Sequence, residues 1–123
     1  MPSLDMTPLN PGTPAAHGKL VATTGTATGS AVTLFTATSE VGSEWDSAYI
    51  MLHNIHSDRV LVTIEWGGTA AANQIKVLVP AYSQYPVCPM HRLRNAQTIK
   101  IFASVANVIN CTVEAERILG TTE

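Results

Sequence analysis

Charge is what this chain most conspicuously has little of. Of 123 residues, 7 are Lys or Arg and 9 are Asp or Glu. That share of 13% is about half of the roughly 25% usual in soluble domains. The formal net charge of −2 provides no basic footprint for a phosphate backbone, so no nucleic acid is expected as a partner. Cysteine is scarce as well: Cys88 and Cys111 are too few for a disulfide-built scaffold, and neither belongs to a Cys-x-x-Cys pair. Long apolar runs are missing. The stretch from Ile75 to Tyr82 is broken by Lys76 and Pro80, far short of the roughly 20 residues that cross a bilayer, so no membrane insertion is expected. No charged-then-apolar leader opens the sequence, which predicts synthesis inside a cell, in the cytoplasm. Finally, no segment carries a long amphipathic helical period, which disfavours a parallel sheet built from β-α-β units.

The length suits one domain with one core. Residues 1–30 hold four of the seven prolines and four of the eight glycines. Proline removes backbone donors and glycine adds chain entropy, so this segment reads as an extended arm that needs burial against something else to be ordered. From Ala31 the pattern has period two, which places alternate side chains on opposite faces of a strand. Strands are predicted over Ala31–Thr38, Asp46–His56, Arg59–Trp66, Gln74–Val79, Thr98–Ser104 and Ile109–Ile118. In Arg59–Trp66, Val60, Val62, Ile64 and Trp66 share one face, with Thr63 and Glu65 on the other. Ser57-Asp58 reads as the turn of a first hairpin, and Gly67-Gly68-Thr69 with the alanines after it as the turn of a second. Pro80, Pro86 and Pro89 bracket Ala81–Val87, which is therefore an edge strand or a crossing between sheets. The expectation is an all-β, single β-sandwich or jelly-roll-like domain of about 7–8 antiparallel strands over residues 31–119, with a short tail at 120–123.

Catalytic and metal chemistry find little support. His53 and His56 are three apart, which on a strand puts them on opposite faces, and His17 and His91 stand alone, so no metal and no cofactor are expected. Cys88 with His91 makes a conceivable nucleophile and base, but Pro89 lies between them and no third member is evident. Glu114 and Glu116 share a strand face and read as a solvated pair rather than a glycosidase couple. Gly67-Gly68 follows a strand but lacks the Lys and Ser/Thr of a phosphate loop. No catalytic residue is nominated, and the chain is not expected to be an enzyme. His91, Arg92 and Arg94 form the one local basic cluster, suited either to an acidic partner surface or to plain solvation. Trp66 is either an interface anchor or a cap on the core.

The stretch VLVTIEWGGTAAANQIKVLVPA, followed by IKIFASVANVINCTVEAERI, resembles small β-sandwich structural proteins of tailed-bacteriophage virions. The likeness covers roughly residues 31–119 and contains no catalytic signature. It implies a place on the particle: a capsid decoration or cement protein that clamps major capsid subunits on the head surface, commonly as a homotrimer, or a neck or tail accessory protein. On that reading the partners are copies of the chain itself and the major capsid protein, and the location is the virion surface. A weakly charged Thr- and Ala-rich exterior suits the same role, and Leu4, Met6, Leu9 and Leu20 in the arm are candidates to fill pockets on a neighbour. A carbohydrate- or receptor-binding sandwich is the alternative from a different class. It requires Tyr82, Tyr85 and Trp66 on one open face.

Overall fold

The computed structural model describes residues 3–9, 20–39, 44–87 and 92–121, with only the backbone course described for 3–9, 44 and 118–121. Its strands are β1 (Ser3–Leu9), β2 (Val21–Ala22), β3 (Val32–Thr36), β4 (Glu44–Asn54), β5 (Val60–Trp66), β6 (Gln74–Val79), β7 (Gln84–Val87), β8 (Arg92–Leu93), β9 (Thr98–Ala103) and β10 (Ile109–Thr121). All pair antiparallel, in two sheets. The first has the order β1-β10-β4-β7, with β2 also on β10 and β8 also on β4; the second has the order β3-β9-β5-β6. The chain is an all-β sandwich, and the strands after Ala31 are β3 to β10.

The core follows from the period-two pattern. Ala48, Ile50 and Leu52 of β4, with Ile109, Cys111 and Ala115 of β10, face Val60, Val62 and Ile64 of β5, Ile99, Ile101 and Ala103 of β9, and Val77 and Val79 of β6; all are buried. Each fully buried Val, Ile or Leu contributes about 1.5–3 kcal/mol, and these branched side chains also suit a pleated surface. A bulge between Thr33 and Phe35 inserts one residue, so that Leu34 and Phe35 are both buried although adjacent in sequence.

The first hairpin expected from the sequence does not exist. β4 pairs with β10, β7 and β8, while β5 pairs with β6 and β9 in the other sheet. The Ser57-Asp58 link is a crossover, and buried Asn54 pins it. Its Oδ1 accepts from His56 N at 2.8 Å, and its Nδ2 lies within 3.0–3.1 Å of the carbonyl oxygens of Asp58, Val79 and Pro80. The second hairpin does form, with β5 against β6. The piece after Pro80 both crosses between the sheets and supplies β7, an edge strand on β4. Thr63 and Glu65 lie opposite the inward face of β5, yet both are buried. β5 is an interior strand, so β6 and β9 flank it on either side, and a 3-10 turn at Thr28–Ser30 reaches over Glu65.

Within the segment expected to be an arm, two described pieces are strands of the first sheet and Thr28–Ser30 is a 3-10 turn. Ser3–Leu9 runs along β10 in register with Thr121–Ala115, and Val21-Ala22 rejoins the same strand at Cys111-Asn110.

Candidate functional site

At one end of the sandwich β4 begins, β5 finishes and β8 lies alongside. Trp45 and Asp46 open β4, and the register sets Asp46 opposite both Leu93 of β8 and Arg117 of β10. Asp46 is fully buried; its Oδ1 accepts from Arg117 Nε at 2.9 Å, and its Oδ2 accepts from Arg117 Nη2 at 3.1 Å and from the Thr38 backbone N–H at 2.7 Å. A buried carboxylate requires this degree of satisfaction, and a bidentate guanidinium matches its geometry. Beside it, Arg94 stacks on the Trp45 ring with Cζ 3.6 Å from the ring centroid, a cation–π contact worth about 0.5–2 kcal/mol.

Between the two sheets at this end lies a cleft of about 310 Å³ lined by Trp66, Gly67, Asn73, Gln74, Arg92 and Gln97, among others. Gly67 has φ +82°, and a Cβ there would lie 3.3 Å from the Leu93 side chain, so the turn that leaves β5 both needs glycine and packs closely against β8.

The contact residues expected from the sequence fall into groups. Trp66 and Arg92 meet at the cleft, and Arg94 stands next to it on Trp45. Trp66 is only 6% exposed and shares the inward face of Val60, Val62 and Ile64, so it closes the core rather than projecting as a free anchor. Arg92 is exposed. Leu4, Met6 and Leu9 occupy β1 positions in register with Gly120, Ile118 and Ala115. Because those β10 positions run alongside the start of β4, β1 belongs to the same end. Leu20 is half exposed just before β2. His91 and Cys88 lie outside the described residues.

The opposite end carries apolar side chains that strand patterning alone does not bring together. The 55–59, 80–83 and 104–108 connections meet there through Ile55 N to Val108 O and Tyr82 N to His56 O. Ile55, Tyr82 and Val105 are exposed on these connections, Tyr82 at 73%. Leu61 and Leu78, direct partners on β5 and β6, are exposed on the outer face near the same end. A signal for these two does exist in the sequence, since Leu61 and Leu78 have the wrong parity for the core. Tyr82 and Tyr85 lie toward this end and Trp66 at the other, so the three aromatics do not form one open platform.

Reactive groups are held in structural settings. Cys111 is a buried free thiol whose Sγ is 3.6 Å from Thr23 Oγ1. Burial pushes its pKa up from 9.0 to about 11, with the Thr23 hydroxyl opposing weakly, so the thiol stays protonated and unreactive at neutral pH. Glu114 and Glu116 are exposed on the outer face, where Glu114 accepts a hydrogen bond from Tyr49 Oη. Glu65 Oε2 accepts from Thr28 Oγ1 at 3.1 Å and from Gln74 Nε2 at 3.4 Å. Glu65 Oε1 and Trp66 Nε1 are buried without a partner among the described residues. No group of three or more His, Cys, Asp or Glu with metal-binding geometry occurs among the described residues. Nor does any described helix have the length and apolarity to cross a membrane.

No protein-family model matches the chain, and no curated protein matches it. Among solved structures, one similar chain comes from the Bacillus endospore appendages, described as a novel family of disulfide-linked pili. It is 13% identical, the alignment covers 100% of this chain and 92% of that one, and the TM-score is 0.47. A likeness at that level carries nothing about function.

Proposed function

We propose that this chain is a non-enzymatic structural subunit that works by packing against copies of itself and against other protein. In the terms of the virion resemblance, it is a capsid decoration or cement protein that clamps major capsid subunits on the head surface as a homotrimer. The observation that carries the reading is the cluster of exposed apolar side chains at one end of the sandwich, Ile55, Leu61, Leu78, Tyr82 and Val105, on a chain with only 13% charged residues. Apolar groups concentrated at one end favour a protein partner, and few like charges oppose the approach of a second copy. The protonated, enclosed thiol of Cys111 and the fully engaged carboxylate of Asp46 suit structural roles rather than catalysis.

Native mass measured alone and after mixing with assembled phage heads tests this. The expected result is a trimer that co-sediments with heads in many copies per particle. A larger ring present in few copies would replace cement with a neck or tail role. A monomer that ignores the particle overturns the structural reading.

A further inference from the structure

We propose that β1 is an exchangeable strand: in the assembled protein it pairs with β10 of a second copy instead of its own. The inference rests on the assembly reading above and names the element that joins the copies. Three features of the chain lead to it.

The first is how β1 is held. Among the described residues β10 is the one element with which β1 makes extensive contact. Its backbone runs antiparallel to β10 from Ser3 opposite Thr121 to Leu9 opposite Ala115. An interface made with a single strand is reproduced in full by the same strand of another copy, so exchange leaves its free energy nearly unchanged.

The second is the connection. On β10 the step from Ala115, where β1 stops, to Cys111, where β2 begins, is four residues, or about 14 Å of strand. The chain between Leu9 and Val21 takes twelve steps to cover it, with a reach of about 40 Å. That reach is nearly three times the step along its own β10. The connecting residues include Pro11, Gly12, Pro14 and Gly18.

The third is the acceptor. Thr112, Val113 and Glu114 lie on the β10 edge between the β1 and β2 pairings. The edge is therefore built in two separate pieces, and the outer piece is free to come from elsewhere while β2 stays in place. Two pieces of one chain joined by about a dozen residues meet at an effective concentration on the order of millimolar. Exchange then prevails where copies are crowded and further contacts between them add to the strand pairing.

The test uses full-length chains bearing single cysteines at register partners. Chains with Met6→Cys are co-expressed with chains bearing Ile118→Cys, the oligomeric fraction is isolated and mildly oxidised, and the disulfide is mapped by mass spectrometry. Exchange predicts covalent dimers joined between positions 6 and 118 of different chains. A second pair, Leu4→Cys with Gly120→Cys, guards against local misfolding and predicts the same. The double variant Met6→Cys/Ile118→Cys is expected to give multi-chain products. If the protein oligomerises while that variant seals within single chains and the mixed pairs give no 6–118 or 4–120 link, strand exchange is overturned and the assembly reading stands. A chain that is monomeric at every concentration, alone and with heads, overturns both.

Discussion

Arg117 closes on Asp46 from the neighbouring strand with two of its nitrogens, while the carboxylate is fully buried and also accepts the Thr38 backbone N–H. The contact ties the end of β10 to the start of β4 and both to the segment that follows β3. Removing the guanidinium strands a buried charge with one remaining described donor, and breaking such a pair costs about 3–5 kcal/mol. Arg117→Met is therefore expected to lower unfolding stability by about 3 kcal/mol in urea titrations. Replacing both residues, as Asp46→Leu with Arg117→Met, is expected to recover much of that loss. A single variant within about 0.5 kcal/mol of the parent, on the order of the scatter for surface changes, would show that the pair has no structural role.

Cys111 gives a pH dependence with a definite sign. Its thiol is raised from 9.0 to about 11 by burial, so above pH 9 the unfolded chain releases this proton before the folded chain does. Stability is then fully present below pH 9 and falls as pH rises from 9 through 11, by roughly 2–3 kcal/mol at about 1.36 kcal/mol per unit. Chemical unfolding at about pH 8, 9.5 and 10.5 is expected to show this decline, and Cys111→Ala is expected to flatten it. A thiol reagent at about pH 8 is expected to modify Cys111 only as fast as the protein opens; rapid labelling would contradict the buried placement.

Much of this architecture is legible in the amino-acid sequence. Strands β3 to β6, β9 and β10 follow from branched residues alternating with polar ones, and Pro80 and Pro86 place β7 at an edge; β8, two residues long, does not show in the pattern. The Ser57-Asp58 link is not legible, because two short strands separated by a polar pair look alike whether they return in one sheet or cross to the other. What decides is Asn54, whose amide finds acceptors near residues 58 and 80 only after the sandwich has closed. Glu65 reads as a solvent-facing residue by parity; it is buried on an interior strand between β6 and β9, and its hydrogen-bond partner Thr28 lies 37 positions away. The Asp46–Arg117 pair spans 71 positions, a separation at which no spacing rule operates. At the site, Arg92, Arg94 and Trp66 stand out in the sequence, but Trp45, the partner stacked on Arg94, does not, since only β8 lying against β4 brings the two together.

The 3-10 turn at Thr28–Ser30 is held over the second sheet by the bond from Thr28 Oγ1 to Glu65 Oε2. Leaving a buried acceptor without its donor costs about 1–3 kcal/mol, and among the described residues Gln74, at 3.4 Å, is the other side chain that donates to Glu65. Thr28→Val keeps the shape and removes the donor, so a loss of about 1–2 kcal/mol is expected in thermal or urea unfolding. Thr28→Ser, which keeps the hydroxyl, is expected to lose less than half as much. Equal losses from Val and Ser would assign the effect to the missing methyl contact instead.

The turn between β8 and β9 offers a stabilising change. Asn95 and Ala96 have φ of 58° and 56°, and Gln97 N donates to Arg94 O at 3.2 Å, which is the geometry of a tight turn with two left-handed central residues. Asn-Gly is the favoured pair for that geometry, because alanine's Cβ is crowded there and glycine's missing Cβ is not. The left-handed conformation costs alanine about 1–2 kcal/mol, whereas glycine adds about 0.4–1 kcal/mol of unfolded-chain entropy. Ala96 is exposed, so little packing is lost on trimming it. Ala96→Gly is therefore expected to raise stability by about 0.5–1 kcal/mol, read as a higher urea midpoint at unchanged slope. If the variant is less stable than the parent, the turn does not hold Ala96 in the left-handed region.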